Sequence, residues 1–305
     1  MPGDRMTSAA MESGFFYLAG SGISPLFLFS SKLAKSMAAA IVLFAGLFIV
    51  IAPCEAKAGV SVKRYATRNV FNDLIYSLFY QGGIYILLIY TPFFDLVRGR
   101  LSLFDLHLVD RMPAYLSLPL YFLAMDFYGY WIHRLQHTRL FWPFHSVHHS
   151  QTQLSFFTLF RFHLLEQFWT GAIVIIPVLF LGVQPKTWLP LQFLHNLLTA
   201  LPHAELNWRL GPFYYVFNGP VFHSIHHSPE PRFFNKNFGM FFSFWDFLFG
   251  TAVDTPERCR VYGVAGLDMP ETISGQFVTP FRMLYRQSFA TPNPEQHAVP
   301  RAPSA

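Results

Sequence analysis

Residues Asp126–Ser150 read DFYGYWIHRLQHTRLFWPFHSVHHS. His133 and His137 stand four apart, and His145, His148 and His149 follow at spacings of three and one. Further along, VFHSIHHS repeats that triplet as His223, His226 and His227. Side chains at i and i+4 share a helix face, so each cluster can turn neighbouring imidazoles toward one point. Imidazole is a good ligand for iron and zinc, and an uncharged ligand set leaves the metal's charge available for chemistry. A single buried histidine is more often a packed or hydrogen-bonded group than a ligand. Eight of them in three spaced clusters argue against that reading.

The chain around this stretch is apolar. Of its 305 residues 52% are hydrophobic and only 13% charged, against about 25% charged in soluble domains. The 36 Phe and 14 Tyr fit a lipid-exposed protein. A formal charge of +5 comes from dispersed basic residues, with no interleaved patch to bind nucleic acid. Cys54 and Cys259 lie in no CxxC motif and read as two free thiols. Residues 1–30 hold no conventional signal sequence. The apolar run Met37–Pro53 starts too far from the amino terminus to be one and reads as a retained span.

Length and polarity of the apolar runs predict an all-α, polytopic membrane protein with four to five transmembrane helices and a cytosolic histidine-rich helical cap. The expected spans are Ser36–Ala52, Asn69–Asp95, a third from Ala114 into the first histidine cluster, Leu159–Leu181 and Trp188–Leu201. Lys57, Lys63, Arg64 and Arg68 place the loop after the first span on the cytoplasmic side. Two further crossings return the chain there, and a hairpin of the last two spans brings both triplets to one face. The expected units are a polar or interfacial segment 1–35, helices and connection 36–113, a catalytic domain 114–252, and an extension 253–305 whose tail from Thr291 is disordered.

Asp126 precedes His133 by nearly two helical turns, and is expected to accept the outer N–H of a ligand histidine. Glu166 near the start of the fourth span reads as a similar support or a direct ligand. Asn196, Asn237 and Asp246 are further candidates for supporting the ligands, Asp246 chiefly an architectural one. His163 is a lesser ligand candidate, and His107 and His297 read as peripheral.

Together these motifs resemble the integral-membrane fatty acid hydroxylase and sterol desaturase superfamily, whose pattern is HxxxH, HxxHH and a later HxxHH. The lead-in matches at Asp126, Tyr128 and Tyr130. The closing pattern matches at Asn237, Phe238 and Gly239, where Phe238 replaces a common tyrosine, and at Trp245, Asp246, Phe249, Gly250 and Thr251. The resemblance covers roughly residues 115–252. It implies a cytosolic site of two Fe ions, with zinc possible in purified protein. Dioxygen would be the co-substrate, and the substrate a fatty-acyl, alkyl, sterol or isoprenoid lipid. It also implies further ligand histidines from the helix between the triplets, for which His195 and His203 are the candidates. His195 lies in the expected fifth span, where an unpaired imidazole is costly.

The leading expectation is therefore an oxygen-dependent lipid hydroxylase, with desaturation on the same site as the alternative outcome. A zinc-binding membrane hydrolase or metal transporter is the competing class. Against it stand the lack of HExxH and the gathering of the histidines at one face, where a transporter would distribute ligands along its path. An inactive homologue would not need every motif histidine. No GxGxxG, flavin or CxxCH haem motif is present, so electrons are expected from a separate electron-transfer protein docking on the cap.

Overall fold

The computed structural model describes residues 25–104, 106, 108–109, 112–182 and 194–289. Residues 1–24 of the expected segment 1–35, the first six residues of the span Trp188–Leu201, His107, His297 and the tail from Thr291 lie outside them. Among the described residues the chain is helical and contains no strand, only the isolated bridges Phe217–Phe242 and Val264–Leu267.

Helix α1, Pro25–Lys57, is 33 residues long. It buries Ala40, Leu43, Phe44, Leu47 and Ile51, which recur at helical spacing, against Phe156, Phe157, Phe160, Ala200 and Ala204. Its other face leaves Val42 and Ile49 about 70% exposed. An apolar face so open is stable against lipid and costly against water. Helix α2, Arg68–Gln81, starts at Thr67, whose side chain caps the backbone N–H of Val70. After Gly82 and Gly83 the chain resumes through a π-turn, Ile86–Tyr90, into α3, Thr91–Arg98, with a bend of 40°. Gly83 has φ +97°, and a Cβ there would lie 2.6 Å from Ser36 of α1, so the bend needs glycine.

Helix α4, Ala114–Gln136, leads to the short α5, Trp142–His149. Helix α6, Leu164–Leu181, is capped by His163 and ends at Gly182. A helix α7 is described over residues 194–200 and tightens into the turn Leu201–His203. Two short helices follow, α8 (Pro220–His226) and α9 (Phe244–Leu248), and then α10, Ile273–Phe289. Helices α1 and α6 are long and apolar enough to cross a membrane, and the bent α2–α3 pair makes a third candidate. At 23 residues α4 is long enough to cross, but Asp126, His133 and Arg134 lower its apolarity.

The ends of these helices meet at one pole. The last turn of α1, the starts of α2 and α6, and the end of α4 all reach it. Buried ion pairs tie them there: Asp73 of α2 to Arg161 at 2.8 Å, and Arg64 after α1 to Glu55 and Glu205. Asp73 also accepts from Gln151 and Thr158, and Arg258 donates to Ala204 O. A buried charge is tolerated only when paired in this way. Helix α10 lies against α5, with Phe281 on Phe144 and Arg139 donating to Gln287 O at 2.7 Å. No helix had been expected in the extension 253–305.

Candidate metal centre

Helix α4 delivers His133 on its last turn and ends at His137; α5 and α8 carry the two triplets, and the turn after α7 carries His203. The ligand nitrogens fall into two groups. His133, His137, His145, His149 and His226 form one, and His148, His203, His223 and His227 the other, with all ligand atoms in a group within 4.8 Å of one another. Each triplet is divided between them. His145 and His149 go to the first group while His148 goes to the second; His223 and His227 go to the second while His226 goes to the first. Helical geometry explains the division. Positions i and i+4 differ by about 40° around the axis, whereas i+3 and i+4 differ by about 100° and diverge.

In the group of five, Nε2 of His137, His145, His149 and His226 is buried without a hydrogen-bond partner. In the group of four, His203 Nε2 lies 3.1 Å from His223 Nε2 and 3.4 Å from His148 Nε2, and His227 Nε2 lies 3.1 Å from His223 Nε2. A shared proton can bridge one such pair but not all of them; a cation satisfies the whole set. Burial, and then the neighbouring imidazoles, push His145, His149, His226 and His227 well below the ordinary histidine range. Burial likewise brings His203 to about 3. The rings are therefore neutral, with lone pairs free for a metal. The residues fit two transition-metal ions bound by imidazole.

The outer ring nitrogens fix which lone pair points inward. His145 Nδ1 donates to Glu166 Oε1 at 2.6 Å, and Gln136 donates to the same oxygen at 2.9 Å. Glu166 also receives the backbone N–H of His163, so the capping box of α6 aims the carboxylate at the site. His133 Nδ1 donates to Phe238 O and His226 Nδ1 to Lys236 O, both at 2.8 Å. Those two carbonyls come from one loop. Asn235 and Asn237 turn it with φ +58° and +56°, a conformation asparagine tolerates. Asn237 donates to Phe222 O and Val253 O, and Asp246 accepts from Phe238 N, Gly239 N and Thr251 Oγ1 at 2.6–2.7 Å. Burial raises Asp246 to about 6 against those donors. A Cβ at Gly239 would lie 2.4 Å from Phe242 O.

The other expected residues fall elsewhere. Asp126 bonds no imidazole: it accepts from Phe241 N, Phe242 N and Trp245 Nε1 at 2.9–3.2 Å. Two turns along α4 separate it from His133 by about 10 Å, beyond hydrogen-bond reach. His195 belongs to neither group; its ring faces Phe122, with centroids 5.9 Å apart. Asn196 is buried on α7. His163 is a structural cap, accepting from Leu165 N and donating to Phe277 O. Gln136 and Asn218 had not been singled out. Asn218 donates to Gly239 O and Met240 O beside His223, and only its place five residues before a triplet hinted at a role.

A cavity of about 210 Å³ opens from both groups and follows α4 and α6. On α4 it touches Tyr121, Met125, Gly129, His133 and Gln136, one turn after another, over about 22 Å. The wall is mainly apolar, with Phe122, Leu159, Phe162 and Val174 contributing.

Residues 118–251 match the fatty acid hydroxylase family. Ornithine lipid hydroxylase OlsE of Rhizobium tropici is 27% identical over 235 residues, covering 75% of this chain and 71% of that protein. Alkylglycerol monooxygenase of Homo sapiens is 35% identical over 146 residues, which is 47% of this chain and 32% of that protein. The Delta(7)-sterol 5(6)-desaturase erg3B of Aspergillus fumigatus is 31% identical over 160 residues, 51% of this chain and 45% of its own length. The match thus spans about a third of the monooxygenase and under half of the desaturase. No solved structure matches the chain.

Proposed function

We propose, from the premise that this chain belongs to the fatty acid hydroxylase and sterol desaturase superfamily, that it is an integral-membrane, oxygen-dependent lipid hydroxylase with two irons. The observation carrying this is the pair of converging imidazole groups at one end of an apolar cavity. Held there, two irons would supply the reduction of dioxygen with two external electrons and two protons, one oxygen atom entering a C–H bond and the other leaving as water.

The chain's own groups prepare that chemistry. Glu166 and the carbonyls of Phe238 and Lys236 keep three rings in one tautomer, with Nε2 turned inward. Phe122, Leu159 and Phe162 line the path along which an acyl or alkyl chain reaches His133 and His148. His137, less buried than the other ligands of its group, lies nearest the surface on which a separate electron-transfer protein would dock. Four to five crossings, by α1, the α2–α3 pair, α4, α6 and the segment ending in α7, would place this pole on the cytoplasmic face, beside basic Lys57, Lys63 and Arg68. Hydroxylation is favoured over desaturation by the hydroxylase and the monooxygenase among the relatives.

The test is turnover of iron-reconstituted protein with an electron donor and a membrane lipid extract under oxygen-18. The expected product carries one labelled hydroxyl. Absence of label, or full turnover with zinc alone, overturns the reading.

A further inference from the structure

Below the metal end, the cavity wall carries polar groups that ligate nothing. On α6, Glu166 bonds His145, and Thr170 borders the same cavity one turn deeper, about 6 Å along the axis. The Thr170 hydroxyl is buried and has no hydrogen-bond partner. A threonine inside a helix commonly bonds a carbonyl one turn back, and this one does not. Across the cavity, His195 lies eight residues before the ligand His203, about 12 Å deeper. It stands in neither histidine group. A buried hydroxyl without a partner is unfavourable unless a guest supplies one.

We infer that Thr170 and His195 recognise an oxygen, a hydroxyl or an ester carbonyl, carried within the apolar chain of the lipid one to two helical turns from the carbon presented to the metals. The inference rests on reading the cavity as the lipid site. Thr170 offers a hydroxyl that both donates and accepts, and a neutral His195 offers one of each. An unsubstituted chain leaves the Thr170 hydroxyl unpaired. A chain oxygen beside Val174 or Met125 finds no partner there, whereas Tyr121 and Gln167, also on this wall, offer polar groups at their own positions. The pair therefore acts as a ruler, and its distance from His203 selects the carbon that is oxidised.

The test uses full-length, zinc-loaded protein in detergent, so that binding is read without turnover. Octadecanoic acid and its monohydroxy isomers, with the hydroxyl moved along the chain, compete with a fluorescent fatty acid. One isomer, or two adjacent ones, should bind about tenfold more tightly than the unsubstituted chain. Thr170→Val and His195→Phe should each cut that preference to about twofold or less, while Thr170→Ser keeps it. Zinc content and thermal unfolding show whether each variant is folded. A flat profile across the isomers, as expected if Thr170 merely holds a water, overturns the inference, and so does a preference that survives both variants. A preference in protein whose iron form oxidises no lipid would remove the proposed function and leave this inference standing.

Discussion

The group of five and the group of four differ in what holds them. In the five, the outer nitrogens of three rings reach distant parts of the chain: Glu166 at the head of α6, and the carbonyls of Phe238 and Lys236 in the loop braced by Asp246. In the four, the imidazoles crowd one another at 3.1–3.4 Å, and His203 is held within its own segment by Thr199 O at 3.1 Å. One group is thus set by supports outside the histidine motifs, the other mainly by where α5, α7 and α8 put their rings. Changes in the supports should tell the two apart.

The largest effects should come from the ligands themselves. His226→Ala should lose the metal of the five, and His148→Ala that of the four, with turnover abolished in both. Metal analysis of each variant checks this, and loss of both metals from either would merge the groups into one cooperative cluster. Next comes Glu166→Gln, which leaves His145 without its carboxylate. Metal affinity in the five should fall about 10- to 100-fold, with the four retained, as read by competition with a chelator. Asp246→Asn acts one step further away, through the loop. A few-fold loss in the five is expected, together with faster amide exchange over residues 237–239. Equal loss from both groups in either variant would contradict the comparison. His195→Gln should leave metal content unchanged, because the ring stands outside both sets.

How much of this was legible in the sequence depended on range. The spacings of three and four residues are local and helical, so eight candidate ligands could be named from them. The division of each triplet between two groups could not, because it depends on how α5 and α8 face each other across the site. His203 and His195 were both reached through the resemblance; they lie on one segment, and packing brings the ring of His203 into a histidine group while that of His195 faces Phe122. Asp126 was expected at an imidazole, since periodicity reports a shared helix face but not how far along it a side chain can reach. It anchors Phe241, Phe242 and Trp245 instead. Span count was read from apolar length, which put a third span from Ala114 into the first histidine cluster; α4 stands there, although Asp126, His133 and Arg134 keep it out of the apolar candidates.

The central claim is that two separate sets of imidazoles each hold one metal. Anomalous diffraction at the iron edge, from crystals of the full chain reconstituted with iron, tests it most directly. The account predicts two peaks, one enclosed by His133, His137, His145, His149 and His226, the other by His148, His203, His223 and His227. A single peak, or a second peak ligated by His195, would contradict it.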